Sequence, residues 1–320
     1  MRAVLKLKIV ITDAQTITNG DIKLDNIGLL GDMTVYNLTS PQETAQRIKD
    51  ADAVICNKTL LNKENLSGAR NLKYIGLFAT GYNNIDLPYC REKGITVCNA
   101  GSYSTNAVAQ HTFAFILNHY NKIAQYNSFV QNGGWLSSTT FSPFVYPLNE
   151  LYQKTIGIVG YGSIGKAVEK IADALGMRIL INSRTPKKPL YGEFVDFPTL
   201  ISQSDIVTVH CPLNAQSERM FCAREFEAMK DGAFFINTAR GGVMDEQDLA
   251  DALKSGKLSG AAIDVLDEEP MSRDCRLLNV PNCTITPHIA WAPYETRLRL
   301  LEIVYGNLKA FTEGSPTNVV

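Results

Sequence analysis

The chain has 320 residues, of which 45% are hydrophobic and 20% are charged, and its formal net charge is -1. This length favours two domains over a single one. The near-neutral charge provides no basic field that could hold nucleic acid or an anionic membrane surface. We therefore expect no nucleic-acid partner and no membrane partner.

The seven cysteines are scattered and include no Cys-x-x-Cys pair. An odd, unpatterned set argues against a disulfide framework and against structural zinc. Residues 1–13 are largely apolar, but Lys6 and Lys8 interrupt them and no small-residue cleavage site follows, so we expect a first strand rather than a signal peptide. Apolar runs elsewhere are far shorter than the roughly 20 residues of a membrane span. These features predict a cytoplasmic protein without a metal site.

The first third of the chain alternates short strand patterns with polar helical patterns. Strands are predicted at residues 9–12, 34–38, 53–56, 74–77 and 95–98, and helices between them, for example at 41–49 and 85–93. Strands that alternate with helices indicate a parallel sheet. This part is expected to form a small flavodoxin-like layer.

From Ser104 an apolar helical period continues until Gly133 and Gly134 end it. One long helix is therefore predicted over this stretch. Such a helix can pack inside one domain, or it can join two domains or two subunits.

A second alternating stretch starts at Thr155. Strands are predicted at residues 156–159, 179–181, 206–209, 233–236, 261–265 and 284–286, and a last helix at 294–311. A helix is also expected at 245–253, with Asp245 as its N-cap. Six strands separated by helices fit an α/β fold with a doubly wound sheet.

A glycine-rich turn follows the first strand of this second stretch, where residues 160–165 read Gly-Tyr-Gly-Ser-Ile-Gly. Gly160 permits a tight turn, Gly162 lets the backbone approach a pyrophosphate, and Gly165 lets the helix pack closely on the sheet. The N–H groups at the helix start, at Ser163 and Ile164, would then face the anion. Such a string alone is a weak signal, but its position between a strand and an amphipathic helix predicts a dinucleotide site.

The next strand leads into Ser183 and Arg184, about 20 residues past the turn, where an NAD site usually has an acidic side chain for the ribose 2′-hydroxyl. Lys187 and Lys188 follow closely. A guanidinium without a carboxylate fits a 2′-phosphate, so NADP is favoured over NAD. The alternative is a solvated basic loop, with NAD held by other contacts.

Three residues of complementary chemistry come after predicted strands, namely Arg240, Glu269 and His288. Ligands of open α/β sheets bind beyond the carboxyl ends of the strands, so an anion binder, a carboxylate and an acid/base could meet in one crevice. Taken singly, each has a simpler interpretation: a surface arginine, a solvated acidic turn and a capping histidine.

Together these strings, with residues 78–86 (FATGYNNID), resemble the D-2-hydroxyacid dehydrogenase family through nearly the whole chain. Within that family, the His-Ile-Ala-Trp form at 288–291 and the stretch around Gln110 look most like the glycerate dehydrogenases, also called hydroxypyruvate reductases. The resemblance implies NAD(P)H-dependent reduction of a small 2-keto acid, such as hydroxypyruvate or glyoxylate, to the D-2-hydroxy acid.

The resemblance also implies residue roles. It makes Arg240, Glu269 and His288 the catalytic trio, with Arg240 and His288 also touching the substrate. His288 would protonate the alkoxide that forms as hydride arrives, Glu269 would orient the ring and favour its charged form, and Arg240 would bind the carboxylate and carbonyl oxygens. Further contacts are implied for Thr238, Ala239 and Asp264 near the nicotinamide, His210 and Pro212 near the adenosine half, and Thr80 and Gly81 at the substrate carboxylate.

The family's architecture implies a substrate domain formed by residues 1–101 and 293–320 and a Rossmann NAD(P)-binding domain at 102–292. It also implies a homodimer formed partly by the long helix. Two alternatives stay open. One is a nucleotide-sensing corepressor on the same scaffold, and the other is a family member acting on another 2-hydroxy acid, such as phosphoglycerate or lactate.

Overall fold

A computed structural model of the chain describes residues 6–185 and 187–320. It divides into two compact units, Met1–Ser104 with Ala292–Val320, and Thr105–Trp291. The sequence-based boundaries, after residues 101 and 292, differ from these by three residues and one residue. Residues 1–5, which begin the expected substrate domain, and Pro186 lie outside the described part of the chain.

The described residues form strands and helices in alternation. The strands are β1 (Leu7–Ile11), β2 (Gly31–Val35), β3 (Ala53–Cys56), β4 (Tyr74–Leu77), β5 (Thr96–Cys98), β6 (Thr155–Val159), β7 (Arg178–Asn182), β8 (Glu193–Phe194), β9 (Ile206–Val209), β10 (Ala233–Asn237), β11 (Leu258–Ile263) and β12 (Cys283–Ile285). The helices are α1 (Asp25–Gly28), α2 (Pro41–Ile48), α3 (Lys63–Leu66), α4 (Leu87–Glu92), α5 (Thr105–Asn121), α6 (Ile123–Gln131), α7 (Ser163–Ala174), α8 (Phe197–Gln203), α9 (Ala223–Ala228), α10 (Glu246–Lys254) and α11 (Tyr294–Thr312).

The first unit is a five-stranded sheet in the order β2-β1-β3-β4-β5, with every pairing parallel. This is the order of flavodoxin-like sheets. Its central strands β3 and β4 are buried along their whole length. The C-terminal helix α11 packs on this sheet, where the ring of Phe311 lies 4.9 Å from the ring of Tyr74.

The second unit is a seven-stranded parallel sheet in the order β12-β11-β10-β9-β6-β7-β8. Counted from β6, it contains the 3-2-1-4-5-6 order of doubly wound dinucleotide-binding sheets, so the predicted fold class is confirmed. Asp245 caps α10 as predicted, because its carboxylate accepts from the N–H groups of Gln247 and Asp248. The two-residue strand β8 was not predicted, since it is too short to produce a pattern.

The strand predicted at 34–38 is wrong, because β2 lies three residues earlier. Its position is decided by pairing with β1, from Leu7 opposite Gly31 to Ile11 opposite Val35. A Cβ atom at Gly31 would lie 2.1 Å from the carbonyl oxygen of Leu7, so only glycine allows this approach. The strand-like run at 34–38 reflects β propensity, and tertiary pairing overrides it.

The single long helix predicted from Ser104 is also wrong. It is divided into α5 and α6 at Lys122, whose φ of 52° lies in the left-handed region. Helix α5 buries Phe113 and Ile116 in the core of the second unit, whereas α6 has no buried residue. The second helix therefore lies on the surface.

Within residues 6–185 and 187–320, every helix is too short or too polar to cross a bilayer. The same residues include no cluster of three or more His, Cys, Asp or Glu side chains that could hold a metal ion.

Candidate active site

The predicted catalytic residues all follow strands of the seven-stranded sheet. Arg240 comes after β10, Glu269 lies in the loop after β11, and His288 comes after β12. Because these strands are parallel neighbours, their carboxyl ends lie along one edge of the sheet. That edge is where open α/β sheets bind ligands.

His288 and Glu269 form a direct pair, with 2.7 Å between Nδ1 of the imidazole and Oε2 of the carboxylate. The other carboxylate oxygen, Oε1, accepts from the N–H of Leu266 at 3.1 Å. An ionised carboxylate only accepts hydrogen bonds, so it fixes a proton on Nδ1. The side chains are 23% and 32% exposed, and Nε2 is the ring atom that can exchange a proton with a substrate.

A buried network holds the turn that carries His288. Asp264 is 2% exposed, and its carboxylate accepts from the hydroxyl of Thr286 at 2.5 Å and from the N–H groups of Ile289 and Ala290 at 2.8 and 2.9 Å. His288 has a φ of 54°, a conformation that few non-glycine residues adopt. The network therefore stabilises an uncommon backbone conformation at the predicted acid/base residue.

His111 extends this network, with its Nε2 atom 3.1 Å from the Thr286 hydroxyl oxygen. Because that hydroxyl donates to Asp264, Nε2 of His111 must be the donor. Burial lowers the pKa of His111, although the nearby Asp264 carboxylate acts in the opposite direction. The ring is thus neutral at pH 7. Both oxygens of Asp264 serve this turn, and its expected contact with the nicotinamide stays a proposal.

A second turn positions Arg240. The fully buried Asn237 accepts from the N–H of Ala239 at 3.0 Å and donates to the carbonyl oxygen of Arg240 at 2.9 Å. A Cβ atom at Gly241 would lie only 2.0 Å from the carbonyl carbon of Leu266, so the Arg240 turn touches the loop that leads to Glu269. Sequence reasoning missed Asn237 and Gly241, although an amide side chain at a strand end and an adjacent glycine were visible signals.

A cavity of about 540 Å³ lies at the ends of β6, β7 and β9. Six of the predicted cofactor-binding residues line it: Gly160, Gly162, Ser183, Arg184, His210 and Pro212. Ser163, Ile164 and Gly165 form the first turn of α7, directly after Gly162. Thr238 and Ala239 follow β10, and the Thr238 hydroxyl lies 3.5 Å from Nδ1 of His210.

The glycine turn fits a dinucleotide. Gly160 has a φ of 98°, and a Cβ there would lie 2.6 Å from the backbone nitrogen of Cys211. A Cβ at Gly165 would lie 2.3 Å from the carbonyl oxygen of Gly160. A Cβ at Gly162 would meet no atom within 4 Å and would occupy the space that a pyrophosphate needs beside the start of α7.

The far end of the cavity is basic. Arg184 and Lys187 line it, whereas Lys188 does not, and the described lining residues include no carboxylate. The Ser183 hydroxyl donates to the carbonyl oxygen of Thr185 at 2.9 Å. Burial lowers the pKa of His210 to about 3, so this histidine contributes no positive charge at pH 7.

Thr80 and Gly81 belong to the other compact unit, where they follow β4. The Thr80 hydroxyl donates to the carbonyl oxygen of Gly101, and the Asn99 side chain donates to the carbonyl oxygen of Thr80 at 2.8 Å. These bonds order the turn. Its expected role at the substrate carboxylate remains a proposal.

Comparison with known proteins agrees with this geometry. Residues 113–290 match the family model of the D-isomer-specific 2-hydroxyacid dehydrogenase NAD-binding domain. A hydroxypyruvate reductase from Blautia hydrogenotrophica is 41% identical, over 98% of this chain and 99% of its own. A glycerate dehydrogenase from Methylorubrum extorquens is 37% identical, over 88% and 89%. The structure of the acyclic imino acid reductase Bsp5, in complex with NADPH and D-Arg, is 30% identical with a TM-score of 0.87, over 98% of this chain and 100% of that one. The chain belongs to the D-isomer-specific 2-hydroxyacid dehydrogenase family.

Proposed function

We propose that the chain reduces hydroxypyruvate or glyoxylate to D-glycerate or glycolate with NADPH. The observation that carries the proposal is the 2.7 Å pair of His288 and Glu269 on the sheet edge that also holds the dinucleotide-type cavity. The substrate class is supported by the names of the two relatives, a hydroxypyruvate reductase and a glycerate dehydrogenase.

A reduced nicotinamide cofactor, held by the glycine turn at residues 160–165, would supply the hydride that the keto carbon receives. The carbonyl oxygen gains negative charge as its π bond breaks, and it takes the proton from Nε2 of His288. Glu269 stabilises the imidazolium before the transfer and holds the ring in place throughout. Arg240 binds the substrate carboxylate and carbonyl oxygens.

The NADP preference is part of the proposal. Arg184 and Lys187 support it, because two cations without a carboxylate favour a 2′-phosphate over a 2′-hydroxyl. The similar Bsp5 structure contains NADPH, whereas the description of the family model names NAD. The choice between these cofactors therefore depends on this chain's own residues.

We also propose a homodimer. The segment after α5 exposes large apolar side chains to an extent that is unusual for a monomer, namely Ile123 (62%), Trp135 (53%), Leu136 (92%), Phe141 (91%) and Phe144 (87%). Light scattering would give twice the monomer mass of 35.3 kDa. A cytoplasmic location belongs to the same proposal, supported by seven cysteines without a disulfide pattern.

The test is a panel of 2-keto acids assayed with NADPH and with NADH. We expect the highest kcat/KM for hydroxypyruvate or glyoxylate with NADPH. A preference for pyruvate or a phosphorylated keto acid would assign the chain to another substrate class in the family. Tight nucleotide binding without turnover of any keto acid would instead support the nucleotide-sensing corepressor alternative.

A further inference from the structure

A buried carboxylate lies behind the cofactor cavity, outside the catalytic centre. Glu169 on α7 is fully buried, and its Oε1 atom accepts from three consecutive backbone N–H groups, those of Leu190, Tyr191 and Gly192, at 3.0, 2.8 and 2.9 Å. Its Oε2 atom accepts from the hydroxyl of Tyr161. The side chain thus binds one short loop segment and one residue of the glycine turn.

This arrangement is unusual for a helical glutamate. Glu169 is next to the buried Val168, on the face of α7 that packs in the core, where an apolar side chain would be expected. A buried charge is tolerated only when hydrogen-bond donors surround it. Among the described residues, the donors that bind Glu169 belong to Tyr161 and to residues 190–192.

Tyr161 connects the glutamate to the cavity. It is 3% exposed, it lines the cavity, and its hydroxyl oxygen accepts from the N–H of Leu190 at 3.1 Å. Burial and the hydrogen bond to Glu169 raise the pKa of Tyr161 to about 12, so its hydroxyl stays protonated and donates at pH 7.

The segment that Glu169 holds is the end of the loop between β7 and β8. The beginning of this loop carries Arg184 and Lys187 into the basic end of the cavity. At the other end, a Cβ at Gly192 would lie 2.8 Å from the carbonyl oxygen of Ile179, so the chain there lies directly against β7. The end of the loop is therefore held by Glu169 and lies against β7, the strand from which Arg184 and Lys187 follow.

We propose that Glu169, together with Tyr161, is a positioning residue for cofactor selectivity: it holds residues 190–192 and thereby places Arg184 and Lys187 at the 2′ position of the adenosine ribose. The direction of the selectivity rests on the proposed preference for NADP. The positioning role itself requires only that this loop contacts the 2′ substituent of the adenosine ribose.

The test compares Glu169→Gln and Tyr161→Phe with wild type. Asp173→Asn is the matched control, because it removes one carboxylate charge from an exposed position on the same helix. Dissociation constants for NADPH and NADH are measured by nicotinamide fluorescence, and hydrogen exchange is followed at the amides of residues 190–192.

In both variants we expect faster exchange at residues 190–192. The ratio of the NADH to the NADPH dissociation constant should move towards one by about tenfold, equivalent to about 1.4 kcal/mol. NADH affinity should change little, and Asp173→Asn should behave as wild type. Tyr161→Phe keeps the ring and removes only the hydroxyl, so it decides the question if Glu169→Gln fails to fold.

Three results would overturn the proposal: unchanged exchange, faster exchange with an unchanged ratio, or equal weakening of both cofactors, which would make the contact merely structural. The proposed function is judged separately, by wild type alone. If wild type binds NADH more tightly than NADPH, the proposed NADP preference is wrong. In that case a ratio of the NADH to the NADPH dissociation constant that still moves towards one in the variants supports the role of Glu169.

Discussion

The contact between Gly241 and the Glu269 loop links two side chains of the proposed catalytic trio, those of Arg240 and Glu269, through the backbone. In Gly241→Ala, the added Cβ would lie 2.0 Å from the carbonyl carbon of Leu266 and 2.4 Å from the nitrogen of Asp267. Carbon atoms in contact prefer about 3.5 Å or more. The two backbone segments must therefore separate by about 1.5 Å, since neither can rotate out of the way as a side chain would.

This separation should move Arg240, which precedes Gly241, away from the pair that Glu269 forms with His288. A misplacement of about 1 Å can reduce a rate about 100-fold, so kcat/KM for hydroxypyruvate should fall by at least this factor, about 2.7 kcal/mol. The NADPH dissociation constant should rise by a smaller factor than kcat/KM falls, because the cavity beside the glycine turn lies at the ends of β6, β7 and β9.

Gly242→Ala is the control. Its Cβ would lie 3.1 Å from the end of the Leu213 side chain, which can adjust, and 3.7 Å from Oδ1 of Asp267, which is an ordinary van der Waals contact. Steady-state kinetics, NADPH titration and thermal melting are measured on both variants. If Gly241→Ala keeps normal kcat/KM, the linkage between the Arg240 turn and the Glu269 loop is refuted.

Three further predictions concern Arg240, the neighbouring residues Ser183 and Arg184, and His119. Arg240→Lys keeps the charge but loses the planar guanidinium, so kcat/KM should fall roughly 30-fold, equivalent to about 2 kcal/mol, while NADPH affinity stays unchanged. Normal keto-acid kinetics in this variant would show that Arg240 is not part of the site. Ser183→Asp with Arg184→Ala should move the kcat/KM preference towards NADH, and a wild type that already prefers NADH would contradict this. Burial lowers the pKa of His119 to about 4, whereas its pKa in the unfolded chain is about 6.5. Between these two pH values the unfolded state binds more protons than the folded state, so the free energy of unfolding should fall as pH drops from about 6.5 towards about 4. His119→Gln should flatten this dependence in urea melts, and an unchanged slope would count against the assignment.

The sequence was sufficient to predict the α/β class, because strand ends are visible as apolar runs followed by polar residues. The same pattern shows that Glu269 and His288 each follow a strand, whereas their pairing was implied only by the resemblance to a known family. The glycine turn is equally local, because each glycine has a separate steric requirement that its spacing reveals. Features of this kind need no knowledge of distant contacts.

Long-range contacts decided what could not be predicted. Glu169 gave no signal, since a helical glutamate is ordinarily solvated and its partner Tyr191 lies 22 residues away in the chain. The break at Lys122 was hidden because apolar residues continue on both sides of it. The position of β2 depends on the close approach of Gly31 to β1, which only the assembled sheet defines.

The central claim is that His288, held and charged with the help of Glu269, protonates the substrate oxygen. It is tested most directly by the pH dependence of kcat/KM for hydroxypyruvate in wild type and in Glu269→Gln. Reduction requires imidazolium, so activity should decline as pH rises, and oxidation of D-glycerate should show the opposite slope. Loss of the carboxylate 2.7 Å from Nδ1 removes the negative charge beside the imidazolium, so the reduction profile should move to lower pH. Superimposable profiles for the two proteins would contradict the account.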